Sequence, residues 1–101
     1  IINIGSSSSY NGSPDAGLYC TTKHALLGFS RSFFKEAIND NVRVHIVSPG
    51  SMKTPMGETD KRQDYSTFIE PRDVANAIKG LLSFGGNSIS EEMRINRTII
   101  R

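Results

Sequence analysis

The chain is expected to fold in the α/β class, around a parallel sheet. Three observations predict this. Short apolar, β-branched runs alternate with helical stripes in the order strand, helix, strand, helix, strand. That alternation favours parallel strands joined by right-handed crossovers. Turn-forming residues separate the runs at Gly5–Pro14, Asn39–Asn41, Ser48–Gly50 and Gly85–Asn87. The length of 101 residues, with 37% hydrophobic and 22% charged content, suits one soluble globular domain at most.

Ile1–Ile4 is apolar and β-branched apart from Asn3, and reads as a short buried strand. Gly5–Pro14 reads as a loop, with Asp15 placed to cap the first helix. Leu26, Phe29, Phe33 and Ala37 recur at helical spacing, widened by Leu27, Phe34 and Ile38. They predict a helix over Gly17–Ile38. Val42–Val47 is a second strand, stopped by Ser48-Pro49-Gly50. Ser51–Glu70 is polar and reads as a long loop with at most a helical turn, a length that usually carries function. Pro71 opens a second helix, with Val74, Ile78, Leu81 and Leu82 on one face, ended by Gly85-Gly86-Asn87. Met93–Ile99 is the expected last strand.

The bulk numbers exclude several classes. A net charge of +2 is too small and too scattered to indicate nucleic acid as a partner. No apolar run approaches the ~20 residues of a membrane span, and no secretory signal is visible. Cys20 is the single cysteine, so there is neither a disulfide framework nor a metal-ligand spacing. A reducing, cytoplasmic setting is expected. The sequons at Asn11 and Asn96 are then chance matches. The opening "IINIGS" begins inside a strand, so a fragment of a longer polypeptide is expected.

The chemistry concentrates in "SSYNGSPDAGLYCTTK", from Ser8 to Lys23. Tyr19 and Lys23 lie at i and i+4 and share a helix face. A cation one helical turn away favours phenolate over phenol, which makes Tyr19 a candidate general acid or base. The first strand delivers Ser6 at its C-terminal end, and the second ends in Pro49-Gly50 on the same rim. Open α/β sheets bind ligands outside those ends.

Ser6, then Tyr19 thirteen residues on, then Lys23, resembles the active site of the short-chain dehydrogenase/reductase family. "NIGS" resembles that family's strand ending in the catalytic serine, and "YCTTKHALLGFSRSF" its YxxxK helix. "VRVHIVSPGSMKTPM" resembles its strand and Pro-Gly loop, and "EPRDVANAI" its late helix. The order and spacing match over essentially the whole chain. The resemblance implies a Rossmann-type, doubly wound parallel sheet in a three-layer α/β/α sandwich. Residues 1–101 would be its C-terminal portion, without the N-terminal cofactor-binding half.

The resemblance also implies roles. Ser6 would hydrogen-bond the substrate oxygen, and Tyr19 would pass a proton to or from it. Lys23 would hold the nicotinamide ribose. Pro49, Gly50 and Met52 would lie beside the nicotinamide, and Thr54 would bind its carboxamide. Ser8 would line the substrate pocket with Ser6 and Tyr19. The cofactor would be NADP or NAD, because the residue that selects between them lies upstream in the family. So do the family's Gly-rich loop and its catalytic asparagine, which Asn3 is misplaced to replace. Gly5 stands where many members carry a first serine.

The implied reaction interconverts an alcohol and a ketone or aldehyde, in a homodimer or homotetramer. Residues 55–70 would form a substrate-side flap. With no buried stripe it should be mobile until cofactor binds, and its polarity suits a small or polar substrate. Two other readings compete. One is a truncated, pseudoenzyme-like chain acting as a non-catalytic interaction module. The other is a hydrolase built on Ser6, His24 and Asp15, which lacks the G-x-S-x-G elbow and the triad order. Thr54 has a bland reading as a helix N-cap, and His45 and Cys20 read as structural.

Overall fold

In a computed structural model, residues 1–99 are described. Three parallel strands form one sheet in the order β1 (Ile2–Ile4), β2 (His45–Pro49), β3 (Glu92–Ile95). Helix α1 (Gly17–Ala37) joins β1 to β2. A short helix α2 (Pro55–Glu58) and helix α3 (Pro71–Leu82) join β2 to β3. The expected class, element order and parallel pairing are present.

Alternation along the strands assigns the two faces. Val47 packs with Val74 and Leu81 of α3, and Ile2, Met93 and Ile95 join that cluster. On the opposite face the Asn3 amide donates to Ser30 Oγ of α1 at 2.9 Å. A helix therefore covers each face, giving three layers. Among the described residues no helix is long and apolar enough to cross a membrane.

Several boundaries differ from the sequence reading. Pro49, expected to stop β2, instead belongs to it, paired in register with Ile95. The amides of Ile46 and Gly50 donate to the β3 side, to Glu91 O and Ile95 O, whereas that of His45 donates to Ile1 O on the β1 side. The Pro49 nitrogen faces the β1 side, beyond the end of β1, where no partner is needed. At its start, β2 begins three residues later than expected. Val42 N donates to Ala37 O and Asn41 takes a left-handed φ of 57°, so both belong to the helix exit. β3 ends at Ile95 because the next residues turn to other partners, Asn96 to Tyr10 and Arg97 to the flap.

The helices are rotated and capped differently from expectation. Ala16, not Asp15, is the N-cap of α1, and no side chain caps it. Asp15 stands one residue too early and is itself left-handed, with φ 58°. The buried stripe of α1 is Cys20, Leu27, Ser30 and Ala37. Phe29 is 58% exposed, stacked on Phe33 with ring centroids 5.3 Å apart. Apolar residues occupy more than one face of this helix, and the sheet covers only one. On α3, Val74 and Leu81 are buried, but Leu82 is 67% exposed, because it lies about 100° round the helix from Leu81. Strand β1 is half-buried rather than buried, with Ile4 exposed.

The 55–70 segment is better anchored than its sequence suggests. Phe68 and Ile69 are both buried. Ile69 N donates to Ser51 O and Lys53 N to Ile69 O, each at 2.9 Å, so Met52 and Ile69 form a parallel bridge. A 3₁₀ turn at Tyr65–Thr67 leads into it.

This packing sets two expected outcomes. Leu81→Ala should destabilise the protein by about 2–5 kcal/mol in urea unfolding, whereas Leu82→Ala should change it by less than about 0.5 kcal/mol. The second concerns Arg31, whose Nε and Nη2 each reach Glu92 at 3.0 Å and tie α1 to β3. Hydrogen bonding by Arg31 holds the Glu92 carboxyl below its ordinary range. Its folded pKa is depressed, so its contribution to stability is present above the unfolded value of about 4.3 and is lost as pH falls through the folded value. Glu92→Gln should therefore be less stable than the parent near neutrality, and the gap should close on acidification. A gap that stays constant with pH would contradict the pairing.

Candidate active site

Parallel pairing brings the C-terminal ends of all three strands to one rim. Beyond β1 the chain passes Gly5, whose amide donates to Val47 O at 2.8 Å. A Cβ on residue 5 would lie 2.6 Å from Ser48 Oγ and 2.9 Å from Ser9 Oγ. With glycine at this position the Ser9 and Ser48 hydroxyls approach the backbone closely, and the serine turn sits against β2. That turn is a 3₁₀ helix, Ser7–Ser9, with Ser6 as its N-cap. Ser6 Oγ accepts from Ser8 N at 3.1 Å, and Ser9 Oγ accepts from Ser6 N at 3.1 Å.

A crevice of about 820 Å³ opens at this rim, within the range of small-molecule and cofactor sites. Its walls bring together Ser6, Ser8, Tyr19, Pro49-Gly50, Met52 and Thr54. Lys23 is the one predicted site residue outside the lining. Its ammonium donates to Ile4 O at 3.3 Å and stands 5.8 Å from the centre of the Tyr19 ring. It therefore lies behind Tyr19, fixed to the end of β1. An ammonium has three protons to donate, so this bond leaves others for a ligand. The Tyr19 ring sits in the first turn of α1 and is 37% exposed.

Thr54 caps α2, its hydroxyl oxygen accepting from Gly57 N at 3.0 Å. The bland reading of Thr54 thus describes its local bond, and its hydroxyl hydrogen is still left to donate. Gly57 is needed there, since a Cβ would come within 2.2 Å of Met52 O. Asn3 turns to Ser30, away from the crevice rim. His24 Nδ1 pairs with Cys20 O at 2.8 Å and His45 Nδ1 with Ser90 O at 2.7 Å. Cys20 is buried. None of these three lines the crevice, which leaves the hydrolase reading without its base.

The flap wall is held by polar contacts that the sequence does not reveal. Asp60 accepts from Arg62 Nε at 3.0 Å, Gln63 Nε2 at 2.7 Å and Arg62 N at 3.0 Å. These bonds, that of the Arg62 side chain foremost, hold its carboxyl well below the usual range. Arg97 donates to Thr67 Oγ1 at 2.9 Å and to Gln63 Oε1, with its guanidinium over the Phe68 ring. Asn96, which lines the crevice, accepts from the Tyr10 hydroxyl at 3.2 Å, and Arg94 stacks 3.8 Å above the Tyr10 ring. The partners of Arg97 and Asn96 lie thirty to eighty-six positions away in the chain, so no local pattern could reveal them. Among the described residues no cluster of His, Cys, Asp and Glu could hold a metal ion.

The arrangement offers a hydroxyl and a phenol to one cavity, with an ammonium behind the phenol. Such a set can bind a carbonyl or hydroxyl oxygen and exchange a proton with it.

The sequence profile of the family described as short chain dehydrogenase matches residues 1–65. Carbonyl reductase family member 4 of Xenopus laevis is 35% identical over 88 residues, covering 81% of this chain and 37% of that protein. The 3-oxoacyl-[acyl-carrier-protein] reductase of Mus musculus shows the same identity and coverage. The crystal structure of a betaketoacyl-[ACP] reductase (FabG) from Bacteroides thetaiotaomicron superposes with a TM-score of 0.79 at 28% identity, over 97% of this chain and 41% of that one. An alcohol dehydrogenase from Thermococcus sibiricus, complexed with 5-hydroxy-NADP, gives 0.79 at 26% identity with the same coverage. The chain thus spans about two fifths of the length of the proteins it matches.

Proposed function

The chain belongs to the short-chain dehydrogenase family, and from that premise we propose that the whole protein is an NAD(P)-dependent oxidoreductase interconverting an alcohol and a ketone or aldehyde. One observation carries the reading: Ser6, Tyr19 and Pro49-Gly50 line a single crevice, with the Lys23 ammonium behind the phenol. The lining suits a nicotinamide cofactor, because it combines adequate volume with uncommitted hydroxyl hydrogens on Ser6 and Thr54. When bound, that cofactor supplies hydride chemistry.

The chain's own residues divide the remaining work. Ser6 donates a hydrogen bond to the substrate oxygen. Tyr19 gives that oxygen a proton in reduction and takes it back in oxidation. Lys23 holds the ribose with the ammonium protons not used on Ile4 O. Pro49, Gly50 and Met52 form the wall against the nicotinamide, and Thr54 meets its carboxamide. Ser8 lines the substrate side. The cofactor is NADP or NAD.

The same reading assigns a small-molecule carbonyl or alcohol substrate, a homo-oligomer of two or four copies and a cytoplasmic location. Support for the oligomer is the outer face of α1, where Leu18 and Phe29 are exposed. Support for the compartment is the single, unpaired Cys20.

In the whole protein, Tyr19→Phe removes the proton donor and keeps the ring. Turnover of a ketone with NADPH or NADH should fall by about 10²–10⁴-fold, with cofactor affinity, read by fluorescence titration, little changed. Lys23→Met should instead weaken cofactor binding. Near-normal turnover in Tyr19→Phe would rule out the proton relay.

A further inference from the structure

A run of four serines reads as a solvated loop, but these serines are not equivalent. Ser9 has no exposed surface at all. Its amide donates to Ser6 O at 2.8 Å, and its hydroxyl oxygen accepts the Ser6 amide at 3.1 Å. Ser6 is therefore held on its backbone by Ser9. It is also held on its side chain, because Ser6 Oγ accepts from Ser8 N at 3.1 Å. We propose that Ser9 is a positioning residue for Ser6, and that the serine turn leaves the Ser6 hydroxyl hydrogen free to donate toward the crevice. The proposal rests on the reading of Ser6 as the group that touches substrate oxygen.

A serine hydroxyl has one hydrogen and two lone pairs. With a lone pair taken by the Ser8 amide, the hydrogen turns away from that amide. It is then the group available to a ligand oxygen in the crevice that Ser6 lines. A donor fixed in advance at an oxygen that gains charge during reduction needs no reorganisation in the reaction. The fit around Gly5 supports the same role. A Cβ there would meet Ser9 Oγ at 2.9 Å and Ser48 Oγ at 2.6 Å. A side chain at residue 5 would therefore push the Ser9 hydroxyl from the rotamer in which it accepts the Ser6 amide.

The test uses the whole protein and a double-mutant cycle, with kcat and KM measured for a ketone and NADPH or NADH. Ser9→Ala leaves the Ser6 amide without its acceptor and frees Ser6 to shift. It should lower kcat by about 10–100-fold, the order expected of a small misplacement of a reacting group, with the cofactor KM unchanged. Ser9→Cys keeps a side-chain acceptor at this position, a weaker and bulkier one, and should recover part of that loss. In a Ser6→Ala background, Ser9→Ala should cost nothing further, because the two residues act as a unit.

An equal loss in both backgrounds would overturn the proposal and leave Ser9 a merely structural residue. So would parental kcat in Ser9→Ala alongside an inactive Ser6→Ala. Parental turnover in Ser6→Ala would instead refute the catalytic reading of Ser6, and the proposal with it. Thermal unfolding checks the fold of each variant. Where Ser9→Ala does not fold, Ser9→Gly, which removes the same acceptor, is compared in the same two backgrounds, with the same supporting and overturning results.

Discussion

Everything at the rim depends on the parallel pairing of β2 with both neighbours. Ile4 stands beside Val47 and Ile95 beside Pro49, so β1 leaves the ladder two residues before β2 does. That stagger opens a gap beside Pro49-Gly50. Proline is tolerated at that point because its nitrogen faces the gap and not a strand. The serine turn enters the gap from the β1 side, and the first turn of α1 and the flap complete its walls. An antiparallel partner for β2 would send one strand end to the far side of the sheet and separate Ser6 from Pro49.

Among the described residues no buried side-chain nitrogen or oxygen lacks a hydrogen bond. His45 is tied to the approach to β3, Asn3 to α1 and Ser9 to Ser6. An unpaired buried donor costs about 1–3 kcal/mol, so these contacts hold the elements in one register as much as the apolar cluster around Val47 does. The flap obeys the same logic nearer the surface, where Asp60, Gln63 and Arg97 fix its shape and Phe68 and Ile69 anchor its end.

The features legible in the sequence are local or periodic. Tyr19 and Lys23 share a helix face by spacing alone, and Ser6 is placed by its position at a strand end. The β1–α1–β2 order is carried by the change of hydrophobic period. The features that escape it are set by tertiary contact. The burial of Leu27 in place of Phe29 depends on which face of α1 meets the sheet. The extension of β2 through Pro49 depends on where β1 stops. Ser9 looks like its neighbours in the sequence because only its burial distinguishes it. Arg97 and Asn96 reach the crevice from the end of β3, far in sequence from the residues they touch. The expected reach of that strand to Ile99 fails for the same reason.

The central claim is that this crevice is where a nicotinamide cofactor and a carbonyl compound meet. Hydrogen exchange by mass spectrometry on the whole protein, with and without saturating NADP or NAD, tests it most directly. Added cofactor should slow exchange at the serine turn, in the first turn of α1 and across residues 50–57, while the amides of β3 stay unchanged. Cofactor binding with no change in exchange at those three segments would contradict it.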